Sequence, residues 1–282
     1  MDKDQRRKIA AETVKFIKDG HFPIPKYRAT YDLGVDRLVR ETRFYGPGSL
    51  DRKTLIEVKA QTTLQAAQEL AATTGDVGVL NFASGKNPGG GFLRGTQAQE
   101  ETLARSSALY ASLSSYTARP YYMAHKEGKD PRYSDRMLFT SEVPVFRDDA
   151  GNLLEKPYYV HVLTAAAPNR RALVESGEDF DDVELQRIIR ARVRKILHIF
   201  DSYHIRTLVL GAWGCGVFGN SPQSVSEPFA LALEPASDYE PAGHFAGRFD
   251  RVRFAIPSAA DPNHQVFRRW FDLDDGKDSV TW

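Results

Sequence analysis

The sequence predicts an α/β domain built on a mixed, largely parallel sheet, and two observations predict it. Four short apolar runs punctuate the chain: "DVGVLNFAS" (76–84), "YYVHVLTAAA" (158–167), "RTLVLGAW" (206–213) and "RVRFAIPS" (251–258). Each has the length and apolar character of a buried strand. Helical patterns lie between them, and strands alternating with helices mark the α/β class. No internal repeat, low-complexity tract or linker interrupts the chain, so one elaborated domain over residues 1–282 is expected.

In chain order, "MDKDQRRKIAAETVKFIKDG" reads as an amphipathic helix, with Ile9, Phe16 and Ile17 on one face, Val14 beside it and Gly20 as its stop. It lacks an apolar h-region and carries acidic residues, which argues against a signal or transit peptide. Residues 21–50 look loop-like. "TLQAAQELAAT" (63–73) is a helix before the first strand, and "ETLARSSALYASL" (101–113) is one after it. Residues 116–150, rich in Tyr, Arg, Pro and Asp, are expected to be irregular, with one short strand "SEVPVF" (141–146) and a turn at 147–152. "DVELQRIIRARVRKILHIF" (182–200) places Val183, Ile188, Ile189, Val193, Ile196 and Leu197 at helical spacing. "PQSVSEPFALAL" (222–233) follows the third strand, with Ser221 as its cap and Pro222 at the favoured first position.

The bulk numbers exclude several classes. Thirty-eight basic against 37 acidic residues leave a net charge of +1, so no global field draws the chain to nucleic acid or an anionic membrane. An anionic ligand must be held by local geometry, and direct nucleic-acid binding is not expected. No apolar run approaches the roughly 20 residues of a membrane span. The single cysteine, Cys215, excludes an intrachain disulfide or a cysteine zinc cluster and fits a reducing cytoplasm. It stands in a glycine loop with no histidine near it in sequence, so a small packed residue is favoured over a nucleophile. Seven histidines form neither HExxH nor a close pair, and no metal is expected. Arg187, Arg190, Arg192, Arg194 and Lys195 make the 182–200 helix basic on what is expected to be a solvated face, with polyanion recognition as the alternative.

Chemistry concentrates in "NPGGGFLRGTQAQEET" (87–102). Gly89, Gly90 and Gly91 follow the first strand, at the carboxyl end where α/β sheets hold ligands. Consecutive glycines belong where φ is positive or where a ligand nears the backbone, and exposed N–H groups there suit a phosphate or a sugar hydroxyl. Taken alone the triplet is equally well a flexible turn. Thr96-Gln97-Ala98-Gln99 fits a capping box, Thr96 as N-cap and Gln99 at N3. Glu100 and Glu101 then fall in the first helical turn. The helix dipole alone accounts for an acidic residue there, but two carboxylates beside a glycine cradle suit cleavage at a sugar phosphate. Glycoside hydrolysis needs an acid for the departing oxygen and a base for water, and one carboxyl group can serve both in turn. A helix N-terminus lowers a carboxyl pKa, whereas a neighbouring carboxylate and a bound diphosphate raise it. The acid is therefore expected to become competent chiefly when substrate is bound.

"LVLGAWGCGVFGNSP" holds Gly214-x-Gly216-x-x-Gly219, a dinucleotide-type fingerprint. It lacks an acidic residue about 20 positions on at the end of a second strand. Glu234 lies in or just after a helix and precedes Pro235, so nicotinamide chemistry is rejected. Glycine-spaced N–H groups before a helix N-terminus still make an anion site. Phe218 among them is either core packing or, the favoured reading, a lid on a sugar.

Together these stretches resemble the bacterial type of poly(ADP-ribose) glycohydrolase, a branch of the macrodomain fold, whose signature is GGG, six to eight residues, then QEE. The chain supplies Gly89-Gly90-Gly91, seven residues, then Gln99-Glu100-Glu101. "VLNFASGKNPGGG", "VLTAAAPN" (162–169) and "GAWGCGVFGNSP" also look like the family, and the similarity runs from about residue 10 to 270. The resemblance implies a macrodomain-like three-layer α/β/α fold with extra N-terminal helices as an extension over about residues 1–60. It implies Glu101 as general acid/base and Glu100 as the partner of the terminal ribose hydroxyls. Gly89, Gly90, Gly91 and Gln99 would bind substrate around that ribose and the diphosphate. Gly214, Gly216, Val217, Phe218, Gly219 and Asn220 would cradle the diphosphate, with Phe218 bending the ligand towards Glu101. The implied activity is hydrolysis of the ribose–ribose O-glycosidic bond from the chain terminus, releasing ADP-ribose, with no cofactor. The implied partners are poly(ADP-ribose), ADP-ribose and ADP-ribosylated proteins, in reversal of damage-linked ADP-ribosylation. Apart from the resemblance, Tyr121, Tyr122, Arg132 and Tyr133 in the 116–150 segment are candidates for the border of an adenine site, which nothing in the sequence decides. Two alternatives stay open: a non-catalytic ADP-ribose reader, which needs both glycine loops but not Glu101, and a hydrolase of ADP-ribose attached to protein or nucleic acid.

Overall fold

The computed structural model describes residues 1–24, 29–35, 53–177, 179–235, 243–273 and 277–282; the expected loop over 21–50 lies largely outside them. A seven-stranded sheet runs in the order β5-β6-β4-β7-β8-β3-β9. Its strands are β3 (Leu55–Lys59), β4 (Val77–Phe82), β5 (Met137–Arg147), β6 (Leu153–Ala165), β7 (Thr207–Leu210), β8 (Arg251–Ala255) and β9 (Ser279–Thr281). The inner five, β6-β4-β7-β8-β3, are parallel, and β5 and β9 close the edges antiparallel.

Apolar residues that alternate along the strands enter two cores. Leu80, Leu208, Leu210, Val252 and Phe254 pack with helices α7 (Asp182–Ser202), α8 (Pro222–Leu233) and α9 (Pro262–Trp270). Val77, Val79, Val209 and Val162 pack with α2 (Thr63–Thr74), α3 (Gln99–Ser106), α4 (Leu109–Leu113) and α5 (Arg119–Gly128). Because strand side chains alternate between faces, these are the two sides of one sheet, and the fold is the expected macrodomain-like three-layer α/β/α. Ser221 caps α8 by accepting from Ser224 N at 3.1 Å, with Pro222 beginning the helix as expected. Between β6 and α7 lies the short α6 (Arg170–Ser176).

Ahead of β3 the described residues hold α1 (Lys3–Asp19) and a hairpin of β1 (His21–Ile24) with β2 (Ala29–Asp32). Asp2 and Gln5 form a capping box on α1, and Gly20 ends it at φ 75°. Ala10, Thr13, Phe16 and Ile17 are its buried residues. The helix braces α3 and the turn before it: Arg6 Nε donates to Gly95 O at 2.7 Å, Arg7 Nε to Arg94 O at 2.7 Å, and, on α3 itself, Thr13 Oγ1 to Arg105 O.

Besides the β1–β2 hairpin inside the stretch expected to be a loop, the structure departs from the sequence reading at three places. The helix expected over 101–113 is two helices, because Ser107 is extended at φ −142° and ψ 173° and bridges Val145, while Ala108 N donates to Pro144 O on β5. The segment 116–150 is largely regular, holding α5 and an eleven-residue β5. Register shifts in β5 between Thr140 and Val143, and again between Val145 and Arg147, break its period-two pattern and hide its length in the sequence. Third, β3 falls inside the stretch expected as an N-terminal extension and is a strand of the central sheet.

Candidate active site

Strand β4 delivers the chain to a loop at its carboxyl end, and α3 returns to that same end. Gln99 opens α3 and docks on the β4 backbone: its Oε1 accepts from Phe82 N at 2.9 Å and its Nε2 donates to Leu80 O at 2.7 Å. On that side β4 pairs with β7 only from Val77 to Val79, so the side chain replaces a strand where the two diverge. The expected capping box is not formed. Ala98 is the N-cap, without a side-chain bond, because Gln99 is spent on the strand and the Thr96 hydroxyl packs against Gly91.

Both glutamates of the first turn are buried, with 3% of Glu100 and 7% of Glu101 exposed. Glu100 Oε2 accepts from Ser84 N at 2.6 Å, and Oε1 lies 3.4 Å from Asn81 Nδ2. Glu101 Oε1 accepts from Gly91 N at 2.8 Å. The glycines make this possible. Gly89 and Gly90 have φ of 66° and 60°, which L side chains rarely adopt. A Cβ on Gly90 would stand 2.3 Å from Glu101 Oε1, and one on Gly91 would stand 2.3 Å from Thr96 Oγ1. The flexible backbone thus lets the carboxylates seat directly against the loop.

Burial pushes the Glu100 carboxyl up to about 8, and the charge of Glu101 adds to the rise; the Ser84 N–H and Asn81 amide oppose it. Arg105, with 3% exposed, spans the same helix: Nη1 donates to Thr96 O at 2.8 Å and Nη2 to Thr102 Oγ1 at 3.1 Å. Burial lowers its pKa, and the negative charge of Glu101 counters that.

The second glycine loop, after β7, is built differently. Gly214 sits at φ 76°, where a Cβ would meet the Ala167 Cβ at 2.4 Å. Asn220, buried, pins the loop by donating from Nδ2 to Pro168 O at 2.8 Å and to Gly214 O at 3.0 Å. Gly219 N closes on Gly216 O at 3.1 Å. Among the described residues, the N–H groups of Gly214, Gly216, Val217 and Phe218 have no hydrogen-bond partner. Free N–H groups held rigidly ahead of the α8 N-terminus form an anion cradle. In the first loop, by contrast, Gly90 N bonds Asn87 O and Gly91 N bonds Glu101.

A cavity of about 230 Å³ lies between Phe82, Gln99, the 214–218 loop and the segment after β8, where Asp261 and Asn263 stand. Through Phe82, Gln99 and Pro257 it adjoins a larger cavity of about 860 Å³ that reaches α1 and the start of α2. Neither glutamate lines these cavities. Cys215 is packed: burial, with the charge of Asp261, pushes its thiol up to about 12, which disfavours the thiolate a nucleophile needs. Glu234 caps the C-terminus of α8, not a strand, as the rejection of nicotinamide binding requires. Tyr121 and Tyr122 are core residues of α5, with 2% and 4% exposed, and line neither cavity. Asn81 and Ser84, which hold Glu100, went unread in the sequence; their place at the strand end, one residue before Phe82 and two after it, was the available signal.

Residues 10–148 match the family described as "Microbial-type PARG, catalytic domain". Among solved structures, poly(ADP-ribose) glycohydrolase from Thermomonospora curvata is 45% identical, covers 95% of this chain and 100% of its own, and superposes with a TM-score of 0.85. The same protein bound to the inhibitor ADP-HPD is 46% identical over the same shares, at a TM-score of 0.83. Poly(ADP-ribose) glycohydrolase from Deinococcus radiodurans in complex with ADP-ribose is 38% identical over 85% of this chain and 97% of that one, at 0.76. No functionally curated protein sequence matches the chain. With that identity extending over nearly the whole chain, it belongs to the microbial-type poly(ADP-ribose) glycohydrolase family.

Proposed function

We propose that the chain hydrolyses the ribose–ribose O-glycosidic bond of poly(ADP-ribose), with Glu101 as general acid and then general base. The observation that carries this is the pairing of two loops: one seats a buried carboxylate against a glycine backbone, and the other offers four free N–H groups. The terminal ribose lies against Gly89 to Gly91 with its hydroxyls on Glu100. The diphosphate lies on the 214–219 loop, and the adenosine lies towards the segment after β8. Glu101 gives its proton to the bridging oxygen, which leaves on the preceding unit as C1″ gains oxocarbenium character. Water then attacks C1″ and returns a proton to Glu101, yielding ADP-ribose and a shortened chain. End-wise action follows the family resemblance. The lone packed Cys215 fits a reducing compartment, and we place the enzyme in the cytoplasm. Among the described residues no helix is long and apolar enough to cross a membrane.

Incubation with polymer tests the reading through released ADP-ribose. Glu101→Gln is expected to lower turnover about 10²–10⁴-fold while ADP-ribose still binds. Binding without release by the wild-type protein would instead leave a reader of ADP-ribose.

A further inference from the structure

Tyr133 is held in an unfavourable backbone conformation at the junction of the two glycine loops. Its φ is 56°. A non-glycine residue there is strained and persists only when its surroundings over-determine it. Those surroundings are specific. Arg192, buried on α7, donates from Nη2 to Arg132 O at 2.7 Å and Tyr133 O at 2.8 Å, and from Nη1 to Ala166 O at 3.0 Å. Tyr133 N closes a turn on Asp130 O at 3.1 Å. Both terminal nitrogens of the buried guanidinium are thereby paired, Nε alone lacking a partner among the described residues, and the loop backbone is fixed to the end of β6.

The ring so placed touches both loops. It packs on Gly85 of the first, where an added Cβ would fall 2.8 Å from the ring. It meets Phe218 of the second at 5.9 Å between centroids and 48° between planes, within the range of favourable aromatic pairs. Among the described residues no other ring contacts Phe218. The same neighbourhood is cross-tied. His125 lies 5.3 Å from the Tyr133 ring and hydrogen-bonds both Gly85 O, at 3.2 Å, and Ser134 Oγ, at 2.7 Å. Asn169, which caps α6, donates from its backbone to Pro131 O at 2.8 Å. Arg171, two residues on, donates from its backbone to Phe218 O at 2.9 Å.

We propose that Tyr133 is a positioning residue: its ring transmits the placement of the first glycine loop to Phe218, and so sets where Phe218 presses the terminal ribose towards Glu101. The proposal rests on the glycohydrolase reading for its effect on turnover, and on geometry alone for the contact itself. Strain at φ 56° buys an orientation that a relaxed loop would not hold.

Two experiments separate these levels. In the first, with ¹³C-labelled phenylalanine, the Phe218 ring resonances, identified through Phe218→Leu, are followed in the substrate-free protein. They are expected to move in Tyr133→Gly and to stay close to wild type in Tyr133→Phe; no movement in Tyr133→Gly overturns the contact. The second is a double-mutant cycle on polymer turnover. Tyr133→Gly relieves the backbone strain yet is expected to lower kcat tenfold or more. ADP-ribose affinity should change less than threefold and the melting midpoint should not fall in step with kcat. Tyr133→Phe should stay within twofold. Combined with Phe218→Ala, the glycine variant should add little to the phenylalanine loss. Multiplicative losses, or a kcat within twofold in Tyr133→Gly, overturn the coupling. A wild-type protein that releases no ADP-ribose overturns the glycohydrolase reading, and leaves the resonance test of the contact to be decided separately.

Discussion

The two adjacent glutamates have the same helix turn and the same loop before them, yet their environments divide them. Glu100 is sealed beneath the strand end, and its carboxyl is raised to about 8 by loss of water first and by the neighbouring charge second. Such a group keeps its proton on folding where the unfolded chain has lost its own. Its contribution is therefore fully present below the ordinary carboxyl range and disappears as pH rises towards about 8. Glu100→Gln removes that dependence. Its melting midpoint relative to wild type is expected to climb steadily between pH 5 and 8, and thermal scans across that window check it; a constant difference would assign Glu100 an unshifted titration. Gly90 answers for the other carboxylate. Gly90→Ala brings a methyl into the space of Glu101 Oε1 and asks alanine to take φ 60°. That conformation costs roughly 1–2 kcal/mol. The expected outcome is a tenfold or greater loss of kcat with the diphosphate cradle, and hence ADP-ribose affinity, largely kept, measured by turnover and calorimetry.

At the scale of elements, the sequence announced what periodicity can announce. Strand β4, helix α2 and helix α8 lie where their apolar spacing and caps put them, since each is set by residues within its own span. The failures share a cause. Ser107 leaves its helix to bridge a strand nearly forty residues away, and β5 hides behind a residue at positive φ, Glu142. The capping box failed likewise, because Gln99 found a better partner in a strand exposed by sheet divergence. Local chemistry predicts local structure until a distant backbone offers its hydrogen bonds. The site followed the same division. That the loop glycines and glutamates come together was legible in the sequence, whereas Asn81, Ser84 and the Tyr133–Arg192 anchor depend on folding to acquire meaning. Helix α1 adds a further link invisible in sequence, since its side chains hold the carbonyls that flank the glutamate turn.

Taken whole, the molecule is nearly neutral at +1 and meets a polyanion without a field to guide it. On the proposed function, recognition falls to fixed dipoles of the 214–218 loop, set on a sheet whose five parallel strands all end on the same side. Between two of those strands a carboxamide stands in for a missing peptide group. Its consequence is a built-in reporter: the Phe82 amide proton is shielded only while Gln99 is seated. Hydrogen–deuterium exchange at that one position should therefore quicken whenever the glutamate-bearing turn lifts from the crevice and, on the proposed function, slow when ADP-ribose locks it down, giving a clock for site closure that needs no reaction to run.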